Sequence, residues 1–212
     1  MPFINPKFHS DGSPKPFYGN TIICPVPYQS QFFKSLVEIQ EKLKKTSIAK
    51  KMVFLPPESF HMTIIGLDHF KQWNEKDIKA SDDHCIKALE KIEFFESIKV
   101  KPNPTIKVGK IAIMLEVDPI TESDKAMLSK FQKDVMRTCG KQLKTHHLHV
   151  TLAYKLQEFT GDECHQIKLL DDEIAKAMSH GDTWDSGKPL LTFYADMLKF
   201  VPQELLNTVR IP

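Results

Sequence analysis

No apolar run in the sequence reaches membrane-spanning length, and the segment MPFINPKFHSDGSPKPFYGN lacks the basic region followed by an apolar stretch that marks a secretory signal. A cytosolic protein with no membrane partner is the expectation. Charge of one sign is also scarce: 29 basic against 27 acidic residues leave a formal net charge of +2, which argues against a broad nucleic-acid or membrane surface and leaves room for a local basic pocket. Cysteine is sparse. Cys24, Cys85, Cys139 and Cys164 are spread along the chain with no C-x-x-C spacing, so reduced thiols are expected rather than a disulfide or zinc framework. There is no Gly-rich phosphate loop, no G-x-S-x-G elbow and no H-E-x-x-H, which removes the usual signatures of P-loop, serine-hydrolase and zincin chemistry.

What remains is an ordinary globular composition, 41% hydrophobic and 26% charged, in a chain of 212 residues that suits one domain better than two. Residues 1–19 read as an irregular lead-in, and NTIICPV after them as a strand. Phe32, Leu36, Ile39 and Leu43 repeat at helical spacing, and a second helix is expected from Lys76 to Lys91 with Ile78, Cys85, Ile86 and Leu89 inward. Thr121 or Ser123 can start a third helix that buries Leu128, Phe131 and Val135. Thr160 and Glu163 have capping-box spacing ahead of a fourth, carrying Ile167, Leu170, Ile174 and Met178 and stopping at Gly181. Strands and helices mix without clean βαβα alternation, which argues for an α+β fold.

Two phrases stand out, FHMTIIGL and LHVTLAYK. Each sets a histidine, an apolar spacer and a threonine at the head of an apolar run: His61-Met62-Thr63 and His149-Val150-Thr151. One H-x-T triplet is expected by chance in about every second protein of this kind, so a single copy carries little weight; two in matching β-like runs carry much more. Each half of the chain holds strands, a helix and one such phrase, as an internal duplication into two similar lobes would leave them. Residues i and i+2 of a strand share a face, so each strand buries its apolar set and presents one imidazole and one hydroxyl opposite. Two such strands across a cleft offer a base, an acid and two hydroxyl donors to a phosphodiester, with no metal or other cofactor required.

With these motifs the chain resembles the 2H phosphoesterase superfamily, from about Asn20 to Lys199. That superfamily includes bacterial RNA 2′,3′-cyclic phosphodiesterases (the "2′-5′ RNA ligases"), plant and fungal cyclic-nucleotide phosphodiesterases and viral 2′,5′-oligoadenylate phosphodiesterases. VFLPPESFHMTI is similar to the family's short strand, proline- and acid-containing turn and histidine strand, and PFYGNT is similar to an uncharacterised branch. The resemblance implies a bilobal fold, two antiparallel sheets with pseudo-two-fold symmetry around a central cleft and helices outside. It also implies catalysis by His61 and His149, phosphate binding by Thr63 and Thr151, and His149 as base with His61 as acid, although the near-symmetric motifs do not themselves decide between the two. The chain departs from the RNA-processing members where Asp68 follows Gly66-Leu67, and from many bacterial members where Tyr154-Lys155 replaces an arginine. Both departures stand against a tRNA-end or oligonucleotide substrate.

Further candidates follow from parity. Ser59 and His147, two residues before the histidines, and Lys155, on the parity of Thr151, are expected to line the cleft. On a regular strand Tyr154 is a core residue. Tyr18 and Phe17, or Phe193 and Tyr194, are available to stack a base. The HHLH cluster has no acidic or cysteine partner at a ligand spacing, so no metal is expected. The expected activity is hydrolysis of a 2′,3′-cyclic phosphate or a 2′-linked phosphodiester in a small nucleotide or RNA terminus by a monomer. The alternatives are a 2′,5′-oligoadenylate or cyclic-oligonucleotide phosphodiesterase, and a non-catalytic module that binds a nucleotide or RNA end.

Overall fold

The structure is a computed structural model and describes residues 3–70, 72, 74–141, 147–178 and 183–202. In chain order the elements are β1 (Tyr18–Pro25), α1 (Gln31–Lys44), β2 (Met52–Phe54), β3 (His61–Phe70), α2 (Glu75–Leu89), β4 (Lys99–Val108), β5 (Ala112–Pro119), α3 (Glu122–Thr138), β6 (His149–Lys155), α4 (Gly161–Lys168), α5 (Asp171–Met178), β7 (Trp184–Asp185), β8 (Leu190–Tyr194) and β9 (Phe200–Pro202). The mixed order is that of an α+β fold, as the pattern predicts.

The helices form where apolar period and capping coincide. Ser30 caps α1 by accepting the Phe33 amide, and its predicted stripe, Phe32, Leu36, Ile39 and Leu43, is buried. Thr121 with Asp124, and Thr160 with Glu163, close reciprocal capping boxes on α3 and α4. The single helix expected after Thr160 is two, broken at Leu169 and Leu170. The break lets Asp171, at the head of α5, accept the Ile106 amide of β4 at 2.9 Å. Ile167, Ile174 and Met178 stay in the core, while Gly181 lies outside the described residues.

Among the described residues the strands form one nine-stranded antiparallel sheet, in the order β7-β4-β5-β6-β3-β1-β8-β9 with β2 also on β6. The two expected sheets are its halves, β3-β1-β8-β9 and β6-β5-β4-β7, joined through the pair Met62 and Val150. The halves have parallel construction. β1-α1-β3 and β5-α3-β6 are each a strand, a helix and an antiparallel H-x-T strand, and the next long strand of each, β4 or β8, crosses to pair in the other half. Helices pack on the sheet, α2 against β1, α3 against β5 and α5 against β4, with the core between the layers.

β1 also passes close to the end of β3. A Cβ on Gly19 would stand 2.2 Å from the Asp68 carbonyl oxygen and 2.6 Å from the Tyr194 hydroxyl. Gly19→Ala is expected to cost roughly 1–3 kcal/mol by overpacking, read as a lower urea midpoint at unchanged m-value. An unchanged midpoint would contradict this packing.

Candidate active site

Both H-x-T strands show the same run of exposure. His61 and His149 are partly exposed, Met62 and Val150 are fully buried at 0%, Thr63 and Thr151 are partly exposed, and the next two residues are buried. Burying the two spacers against each other turns all four polar side chains to the opposite face. Because Met62 pairs with Val150 antiparallel, the register sets His61 across from Thr151 and Thr63 across from His149.

After each threonine the strand carries one extra residue. The β1–β3 register slips at Ile64 and the β5–β6 register at Leu152, so each motif ends in a bulge. A glutamine from a helix holds each bulge carbonyl. Gln132 of α3 donates its side-chain amide to the Ile64 carbonyl at 3.0 Å, and buried Gln40 of α1 donates to those of Leu152 at 3.1 Å and Leu55 at 2.8 Å. Each helix thereby reaches the motif strand of the other half.

The imidazoles are oriented alike. His61 Nδ1–H donates to the Ser59 carbonyl at 2.7 Å, and His149 Nδ1–H to the His147 carbonyl at 2.9 Å. A carbonyl only accepts, so the proton sits on Nδ1 in both neutral rings, and Nε2 becomes the nitrogen that takes up or gives a proton. Ser59 is itself fixed, its hydroxyl donating to the Pro56 carbonyl at 2.7 Å in the turn ahead of β3.

The surroundings of the two rings differ. The Phe200 ring lies 4.3 Å from that of His61, between centroids, and burial pushes His61 down to about 4; the Ser59 bond opposes the fall, and nearby His149 and Lys7 add to it. In the ladders Pro25 stands across from His61, whereas Glu116, paired with Lys107, stands across from His149. An aromatic row leads away from His61 through Phe200 and Tyr194 (5.2 Å) to Phe17 (6.1 Å), which stacks on His69 (5.4 Å).

The four motif residues are thus brought together, while the other expected residues divide. Ser59 and His147 serve through their main-chain carbonyls, and the His147 side chain is exposed. Lys155 does not line the cleft. The Leu152 bulge reverses the parity beyond it; Tyr154 is buried with its hydroxyl bonded, as expected, and Lys155 is also buried, 2% exposed, pairing with Glu158 at 3.0 Å beside the Phe159 ring. Tyr18 pairs with Phe70 at the head of β1 and Phe193 is a core residue, so the stacked aromatic residues are Phe17 and Tyr194. Sequence reasoning missed Phe200 and Lys7, since neither belongs to a strand pattern that points at the motifs.

Residues 7–111 match the family described as 2H-phosphodiest, a domain of unknown function (DUF1868). No curated protein sequence matches the chain. The fold is similar to that of a conserved protein of unknown function from Agrobacterium tumefaciens, with TM-score 0.78 at 16% identity over 95% of this chain and 92% of that one. It is also similar to E. coli LigT solved with NADP+, with TM-score 0.52 at 10% identity over 89% of this chain and 95% of LigT. LigT solved with 3′-AMP gives 0.50 at 10% identity over 88% and 95%.

The histidine geometry is testable by nitrogen-15 NMR of the imidazoles. Both neutral rings are expected to carry the proton on Nδ1, and His61 is expected to titrate near 4. Phe200→Ala admits water beside the ring and should raise the His61 value toward the unperturbed ~6.5. A His61 that titrates near 6.5 in the unmodified protein would overturn the desolvation account.

Proposed function

Because this chain belongs to the 2H phosphoesterase superfamily, we propose that it is a metal-independent phosphodiesterase acting on 2′,3′-cyclic phosphates or 2′-linked phosphodiesters of small nucleotides or RNA ends. The observation that carries the reading is the pair of imidazoles, each locked by Nδ1–H on a carbonyl, each across from the other motif's threonine. The nucleotides bound to LigT support a nucleotide ligand.

In the proposed reaction a water oxygen attacks phosphorus while His61 Nε2 takes one of its protons. The bond from phosphorus to the ribose oxygen breaks, and His149, entering as imidazolium, gives its Nε2 proton to that oxygen. The product is a phosphomonoester, and the two rings return their protons through solvent. Thr63 and Thr151 donate to the non-bridging oxygens, where charge accumulates. Roles are assigned from the surroundings. A ring whose value is pushed down to about 4 is neutral at physiological pH and so is ready as a base, which leaves the proton-donor role to His149. This reverses the roles that the family resemblance implies.

Phosphorus NMR of 2′,3′-cyclic AMP in excess EDTA is expected to show conversion to a single monophosphate. His61→Ala and His149→Ala should each lose at least the ~10²-fold typical of a general acid or base. With His61 as base, kcat/KM should hold as pH falls below 6 and drop only as pH passes through about 4, where the folded protein protonates that ring. A His61→Ala protein with full turnover would sink the assignment, and an acidic limb near 6.5 would remove the base role.

A further inference from the structure

The segment ahead of β1 is a strap that carries a cation to the cleft. Asn5, 3% exposed, donates its side-chain amide to the Lys155 carbonyl at 2.6 Å, which pins residue 5 to the end of β6. Phe8 is buried against the Tyr154 ring, centroids 5.1 Å apart. Between these anchors, the Lys7 amide donates to Asn5 Oδ1 at 2.7 Å and the Lys7 carbonyl accepts the Lys15 amide at 2.8 Å. The backbone of Lys7 is therefore fixed from both sides.

Its ammonium stands 4.9 Å from the centre of the Tyr154 ring and 5.2 Å from that of Phe17, and it donates to the Tyr154 hydroxyl at 3.3 Å. That hydroxyl donates to the Met197 sulfur at 3.6 Å, and Thr151 of the second motif is near enough to oppose the rise that burial gives its pKa. Lys107, Lys141 and Lys155 are each paired with a carboxylate: Glu116, Asp68 and Glu158. Lys7 makes no ion pair among the described residues. An ammonium taken largely out of water without a counter-charge is costly, and burial brings this one down to about 8. An anion bound beside Thr151 would supply the missing charge.

We propose that Lys7 is a substrate-binding residue whose ammonium, set by the N-terminal strap beside Tyr154 and Thr151, holds the phosphoryl group of the diester. The identity of the group rests on the function proposed above; the anion site itself rests on the geometry of Lys7. Lys7 donates to the Tyr154 hydroxyl, which lies near Thr151, so charge and hydroxyl approach the phosphate from one side. Gly66, at the position of β3 that matches Tyr154, has open space where a Cβ would be, so nothing equivalent fills the other motif.

The test compares Lys7→Met, which keeps length without charge, with Lys7→Arg. Inorganic phosphate is titrated against each protein and followed by the His61 and His149 imidazole signals, alongside kcat/KM for 2′,3′-cyclic AMP. Loss of one charge-assisted contact should weaken phosphate binding and lower kcat/KM by about 10- to 100-fold in Lys7→Met, and Lys7→Arg should recover most of both. The His61 titration should also move up in Lys7→Met and stay in place in Lys7→Arg, a contrast that follows the charge rather than the packing. Phosphate binding and turnover unchanged in Lys7→Met would overturn the proposal, as would equal losses in Met and Arg variants. If the unmodified protein binds phosphate through Lys7 yet leaves the cyclic diester intact, the proposed reaction falls and the anion site stands.

Discussion

The site depends on one contact, the burial of Met62 against Val150 where the two halves of the sheet join. Since strand side chains alternate with period two, sinking these spacers into the core leaves their neighbours no face but the opposite one. The antiparallel register then interleaves the motifs, histidine across from threonine twice over. A one-residue slip would send all four polar groups into the core. A bulge follows each motif, and Gln40 and Gln132 satisfy the carbonyls it displaces, although the Gln40 side-chain oxygen is itself buried without a partner. Helix, bulge and motif from opposite halves are thereby held as one unit.

Desolvation sets the chemistry of this unit more than net charge does. The chain is close to neutral, and its described cleft draws its charge from single groups: Lys7 on the strap, and Glu116 tied to Lys107 across from His149. Phe200 shields His61 from water, and the aromatic row through Tyr194 and Phe17 continues that apolar wall to the strap. In such surroundings a charge is felt more strongly than in water, so the Lys7 ammonium acts on the His61 imidazole and, in the site proposed above, on an incoming anion.

Much of this was legible in the residues. The H-x-T motifs, the apolar faces of α1, α2 and α3 and the capping box of α4 all follow from local periodicity, and local periodicity survived folding. What escaped was set over long range. Ile64-Ile65 and Leu152-Ala153 read as continued apolar runs, and nothing local marks the loss of parity between them; Lys155 is therefore buried where the cleft was expected, while Tyr154 is in the core as expected. The strap looked irregular because its order comes from Asn5 and Phe8 binding residues about 150 positions away. The break between α4 and α5 depends likewise on Asp171 reaching β4. The two sheets became one because a single pair, invisible to composition, closes the gap between them.

Duplication leaves a chemical difficulty that the surroundings resolve. Two equivalent histidines, each with Nδ1–H on the carbonyl two residues back, would titrate alike, yet displacement at phosphorus needs one ring neutral and the other charged. The β-strands repeat, but what covers them does not. Phe200 and Pro25 adjoin His61, Glu116 adjoins His149, and Tyr154 with Lys7 occupies beside Thr151 the place that Gly66 leaves open after Thr63. Each of these residues lies outside the H-x-T triplets, at a position where the halves differ. In the reaction proposed above, the repeated motifs supply the reacting groups, and the unrepeated residues around them separate acid from base.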